Sequence, residues 1–241
     1  MFPAPPAAGG PWVETLRDGE AGTHGGSAGD MTTESRLPPD EVAVLAGPGQ
    51  AELTVQRSRF LAYALPAADE AAARAAVAEL ARRHHDARHV CSAWRVGAPP
   101  PPREFRHDDG EPAGTAGEPL LAAIRREDLT HTVVAVVRWF GGIKLGTGGL
   151  ARAYGEAAAL ALAAAPRGRL QLGRTFRLRF PYALRRAVEA IVAARGGRPV
   201  AEAYAEDVAW DVWLPHSGCP GFAAAVREAT SGTVEPAALP D

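Results

Sequence analysis

The chain has 241 residues, 46% hydrophobic and 22% charged, with a formal net charge of −2; it is long enough for one large domain or two small ones, and its composition reads as that of an ordinary soluble globular protein. No apolar run approaches the ~20 residues of a membrane span, and no basic then apolar leader opens the sequence. Two cysteines, Cys91 and Cys219, are too few and too far apart for a disulfide framework, so the expected setting is cytoplasmic with reduced thiols.

In chain order, residues 1–40 read as a disordered tail, rich in Pro and Gly and without apolar periodicity. Within it Met31 opens "MTTESRLPPDE", which reads as the natural start, with the first thirty residues an artefact of start-site assignment. Residues 1–50 carry seven acids against two arginines, so the remainder has a net charge of about +3, which permits nucleic acid without demanding it. "AELTVQRSRFLAYALPA" reads as a strand pair broken at "QRSR", and "ADEAAARAAVAELARRHHD" as a helix with Asp69 at its N-cap and Val77 and Leu80 on its apolar face. His84 and His85 close that helix, where a protonated imidazole suits the dipole. "ARHVCSAWRVG" is a further strand. "APPPPREFRHDDGEPAG" reads as a long loop, and "TAGEPLLAAIRRED" as a helix opened by a Thr115–Glu118 capping box. "HTVVAVVRWF" is a buried strand, followed by a glycine loop and a helix over 148–165 with Leu150, Ala153, Tyr154, Ala157 and Ala161 on one face.

Pro166–Gly173 reads as a linker. Beyond it the order strand, helix, strand, strand, helix, with an optional last strand, is the split β-α-β arrangement of ferredoxin-like domains. The expected fold class is therefore α+β, with an N-terminal α/β domain over 41–169 and a ferredoxin-like βαββα domain over 170–238.

The glycine loop "FGGIKLGTGGLARAYG" holds Lys144, the only lysine beside 25 arginines. A Walker A loop needs G-x-x-x-x-G-K-[ST], which is absent; "GTGGLA" satisfies G-x-G-x-x-A, but too far from its strand and without the later acid. A more general reading survives. Glycine turns at helix N-termini expose backbone N–H groups to an anion. Gly141, Gly142, Gly146, Thr147, Gly148 and Gly149, with Lys144 and the flanking Arg138 and Arg152, would then hold phosphate. The structural alternative is that the glycines only permit positive φ and close packing. A compact ammonium also differs from a guanidinium fork, which sets Lys144 apart.

Asp108, Asp109 and Glu111 cluster just before Thr115. They read as a D-G turn bringing acids to a helix N-terminus, as a Mg²⁺ or general-base site, or as partners of Lys144, Arg138 or Arg152 across one cleft. His89 and Cys91 alternate on a strand and share a face. A core thiol beside a hydrogen-bonded histidine is favoured there over zinc or a nucleophile. In the second domain Phe176, Leu178 and Phe180 face one way and Arg177 and Arg179 the other, an arginine face able to contact RNA.

"HDDGEPAGTAGEPLL" followed by "VVAVVRWFGGIKLGTGGLARAYG" closely resembles the YigZ/IMPACT family, and "RSRFLAYA" and "HVCSAW" upstream match its pattern over about residues 50–235. Trp139 stands where family members usually carry tyrosine. The resemblance implies an N-terminal domain similar to the second domain of a small-subunit ribosomal protein. It also implies a C-terminal domain similar to a late domain of elongation factor G. Eukaryotic relatives are linked to translational control through an added domain for which this chain lacks room. The expectation is thus a non-catalytic, translation-associated factor that contacts RNA or the ribosome without DNA specificity, requires no cofactor, and uses Asp108, Asp109 and Glu111 to order the basic loop. The rival is a phosphoryl-handling or hydrolytic enzyme whose acids hold Mg²⁺, and a third reading is a protein–protein module. The oligomeric state stays open.

Overall fold

In the computed structural model, which describes residues 40–97 and 101–240, the chain divides between Leu170 and Gln171. One unit is Val42–Leu170; the other runs from Gln171 onward and takes in Asp40 and Glu41. The expected tail, apart from Asp40, and the Met31 start lie outside the described residues.

The first unit opens inside β1 (Glu41–Leu45), from Val42, and continues with β2 (Gly49–Val55) and β3 (Ser58–Pro66). The last two form a hairpin whose two-residue turn is Gln56 and Arg57, with φ of +45° and +66°. Both positive values match the mirror-image turn that right-twisted hairpins prefer. Next come α1 (Glu70–Arg83), β4 (His89–Val96), β5 (Arg103–His107), α2 (Gly117–Arg126), β6 (Thr132–Trp139), α3 (Gly146–Ala164) and β7 (Arg167–Gln171).

The five-stranded sheet runs β2-β3-β6-β4-β5 with every neighbour antiparallel. Because β3 and β4 both oppose β6, they are parallel to each other, and α1 joins them across it. α2 likewise joins β5 to β6, which flank β4, so two split β-α-β units interlock. α1 packs with Leu61, Tyr63, Val90 and Val137 on one face. On the other, α2 and α3 cover Phe60, Ala62, Cys91, Val134 and Val136. Coverage on both faces explains why β6 is apolar at nearly every position rather than alternating.

Three expectations need correction. The segment read as a long loop contains β5, whose Phe105 stacks on Trp94 at 3.9 Å and ties the strand to the sheet. The expected linker Pro166–Gly173 is mostly β7, which pairs with β1. At α1 the Asp69 cap holds, its carboxylate accepting from the Ala72 N–H at 2.7 Å. The expected charged imidazole does not suit its surroundings. His84 lies 2.9 Å from the Tyr63 hydroxyl, and burial, then the Arg83 charge, lower its pKa against the opposing pull of Asp86.

The second unit follows the ferredoxin-like order. It consists of β8 (Gly173–Phe180), α4 (Arg185–Ala194), β9 (Arg198–Tyr204), β10 (Val208–Pro215), α5 (Phe222–Ala229) and β11 (Ala237–Ala238). Its sheet runs β11-β8-β10-β9, all antiparallel. Leu178, Phe180, Trp210 and Val212 join Val188, Val192, Phe222 and Val226 from the helices in one core.

Candidate nucleic-acid interface

The residues between β6 and α3, from Phe140 to Leu145, form the glycine turn. Gly142 and Gly146 have φ of +87° and +69°, conformations that favour glycine. Gly141 is held differently: a Cβ there would lie 2.0 Å from the Arg57 carbonyl carbon, so the turn rests directly on the β2–β3 hairpin. Gly149 meets the Leu145 side chain, whereas Gly148 has open space around it. Leu145 occupies the N-cap position of α3 and offers no side-chain hydrogen bond, so the first turn, with Thr147 exposed on it, has no side-chain cap. The glycines therefore divide between architecture (Gly141, Gly142, Gly146) and an open helix start (Gly148).

Lys144 and Arg152 are exposed, and among the described residues neither has an acidic partner. Arg57 and Arg88, absent from the sequence reading, join them as exposed arginines without acidic partners. Arg57 lies against Gly141, and the Arg88 N–H donates to the Arg138 carbonyl at 3.1 Å. Topology brings these together, since the start of β3, the start of β4 and the end of β6 meet at one end of the sheet.

Arg138, expected among the phosphate-binding cations, is not available there. Even-numbered β6 residues face α2 and α3, and Arg138 is only 5% exposed. Its Nη1 donates to Glu111 Oε1 at 2.5 Å, and its Nη2 to Ser58 Oγ at 3.3 Å. Tyr154 Oη donates to the same Glu111 oxygen at 2.8 Å, and Ser58 Oγ also accepts from the Gly141 N–H at 3.2 Å. One buried network thus ties the acidic loop, the central strand, α3 and the glycine turn together. A charge buried this far must be paired. Of the cleft pairings envisaged, the structure forms Glu111 with Arg138.

Asp108 and Asp109 order their own surroundings. Asp108 Oδ1 accepts from the Ala116 and Gly117 N–H groups at 2.9 and 2.8 Å, and Oδ2 from Gly114 at 2.9 Å. Burial alone would raise its pKa, but those donors, with His107, outweigh it and hold the carboxyl below its ordinary value. Asp108 is therefore the side chain that caps α2. The expected capping box does not form, because Thr115 Oγ1 donates to the Pro112 carbonyl instead. Asp109 Oδ2 accepts from the Val90 N–H at 2.7 Å, and its carbonyl lies 2.6 Å from His89 Nδ1. Among the described residues no three His, Cys, Asp or Glu side chains form a group able to hold a metal ion.

Cys91 is buried, with Sγ 3.0 Å from the Asp108 carbonyl and 3.3 Å from Tyr154 Oη. Burial pushes its thiol up to about 12, far from a reactive thiolate. In the second unit Arg177 forms a bidentate pair with Asp211 at 2.7 Å for each bond, and Arg179 meets Asp207 at 3.3 Å. Those two arginines, expected as a second contact patch, carry matched charge.

Comparison with known proteins gives a consistent likeness. The family model for the Impact N-terminal domain matches residues 56–162, and that for a domain of unknown function (DUF1949) matches 178–233. IMPACT family member YigZ of Escherichia coli is 34% identical over 182 residues, covering 75% of this chain and 89% of that protein. An IMPACT family member from the pol 5′ region of Thermus thermophilus is 49% identical over 129 residues, covering 53% of this chain and 68% of its own. A crystal structure of a hypothetical protein superposes with a TM-score of 0.61 at 32% identity, covering 84% of this chain and 99% of that one.

Proposed function

Because the chain belongs to the YigZ/IMPACT family, we propose that it is a translation-related regulatory factor that binds RNA or ribosomal phosphate at the glycine turn, without catalysing a reaction. Family membership suggests the translational role; among the relatives is a yeast protein named Protein IMPACT homolog, 29% identical over 96 residues. The observation that carries the binding reading is the group of exposed cations without acidic partners among the described residues: Lys144, Arg57, Arg88 and Arg152. Each adds an attraction for phosphate that salt screens, and none must first break an ion pair. The uncapped start of α3 adds backbone donors to the same turn. A hydrolytic alternative would need Asp108, Asp109 and Glu111 free for Mg²⁺. Each already accepts from N–H or O–H donors.

The test is RNA and ribosome binding by the full chain and by Lys144→Ala, at low and physiological salt. Loss of one phosphate contact should weaken binding and lower the slope of log affinity against log salt by about 0.7–0.9. Equal affinities and slopes in the two proteins would overturn the assignment.

A further inference from the structure

Besides cations, the glycine turn exposes large apolar side chains. Phe140 and Ile143 are each 44% exposed. Of the large apolar residues left open among the described residues, the others lie on α3 (Leu160), on β9 (Val200, Tyr204) or after β8 (Tyr182). Burying such a side chain is favourable, so two left open in one short turn call for an occupant. The backbone beside Phe140 is anchored. Its neighbour Gly141 rests on the Arg57 backbone, and the Arg138 guanidinium lies 5.8 Å from its ring centroid. Arg138 is in turn clamped by Glu111 and Ser58. An aromatic on an anchored backbone needs little main-chain ordering on binding.

We propose that Phe140 is a stacking platform for an unpaired base, which makes single-stranded RNA the ligand class of this site. This rests on the phosphate-binding reading above and narrows it. Cations alone grip single and double strands alike. An A-form duplex keeps its bases stacked inside and offers phosphates and 2′-hydroxyls, with no free base face for a phenyl ring. An exposed aromatic flanked by unmatched cations is the combination that holds splayed bases and their backbone together. The same cations argue against an apolar protein surface as the occupant, because docking one would desolvate several charges without partners.

The experiment compares binding of single-stranded oligo(A) RNA and of the same strand annealed to oligo(U). The proteins are the full chain, Phe140→Ala, Phe140→Leu, Phe140→Tyr and Lys144→Ala, with thermal unfolding as a check on folding. The wild type should prefer the single strand. Phe140→Ala and Phe140→Leu should bind it roughly 5-fold or more weakly, with the salt slope and duplex affinity unchanged, while Phe140→Tyr retains binding. Phe140→Leu binding as tightly as wild type would overturn the proposal, as would an equal loss on single strand and duplex. The Lys144→Ala arm reports separately. If it lowers the salt slope while Phe140 variants are silent, only the stacking inference falls; if the wild type binds neither RNA, the phosphate reading falls and takes stacking with it.

Discussion

Two basic regions that look alike in the sequence differ in what surrounds them. On β8, Arg177 stands directly across from Asp211 of β10 in the sheet register and forms a bidentate pair with it; Arg179 has Asp207. Around the turn after β6, Lys144, Arg57, Arg88 and Arg152 have no such partners among the described residues. The first region stabilises its own strands by cross-strand pairing. The second has no such pairing among the described residues. Basic residues therefore mark a binding surface only where the fold leaves them unmatched, and counting them along the sequence cannot make that distinction.

The largest effect should come from creating an unmatched cation inside the protein. Glu111→Ala strands the buried Arg138 and should destabilise the first unit by about 3–5 kcal/mol in denaturant unfolding, with Glu111→Gln milder because it keeps an acceptor. Stability within error of wild type would mean that the pair contributes little. A smaller, pH-dependent effect belongs to Asp108. Its folded pKa lies below the ordinary 3.8, so its contribution is fully present above the unfolded carboxyl value and drains away as pH falls through the folded one. Asp108→Asn should lower stability at neutral pH and flatten the loss on acidification. An unaltered acid limb would assign that loss to other carboxylates. The smallest effect sharpens the comparison directly. Arg177→Ala should leave RNA affinity and its salt slope at wild-type values; a drop matching that of Lys144→Ala would erase the distinction between the two regions.

Much of the architecture was legible from pattern. The β2–β3 hairpin, the Asp69 cap, the apolar β6, the α3 face and the split β-α-β order of the second unit all rest on local periodicity, which the fold preserved. β5 and β7 were not legible. Each is a short strand of mostly exposed residues, made by its neighbour rather than by its own composition. At the site, Lys144 and the open helix start were visible. The burial of Arg138 also had a signal, since an arginine inside "VVAVVRW" on a sheet covered on both faces needs a buried acid. Its partners lie far away in sequence: Glu111, which also takes the Tyr154 hydroxyl, and Ser58 across the β3–β6 pairing. Tyr154 read as an apolar contact because helical spacing reports where a ring lies, not what its hydroxyl meets. Arg57 and Arg88 were overlooked because strand pairing, and no local motif, carries them to the turn.

The position of β6 bears on the order in which the protein takes shape. It is the central strand of the five, yet the last of them to be synthesised. Until Thr132–Trp139 has been made, β3 and β4 have no common neighbour, and their inner edges remain open to wrong partners. Closing that gap depends on contacts distant in sequence, which makes it a slow step. The glycine turn begins one residue beyond the strand that closes the sheet. The glycine turn, the surface proposed to bind RNA, is therefore assembled by the same event that completes the domain, and a partly made chain cannot present it early.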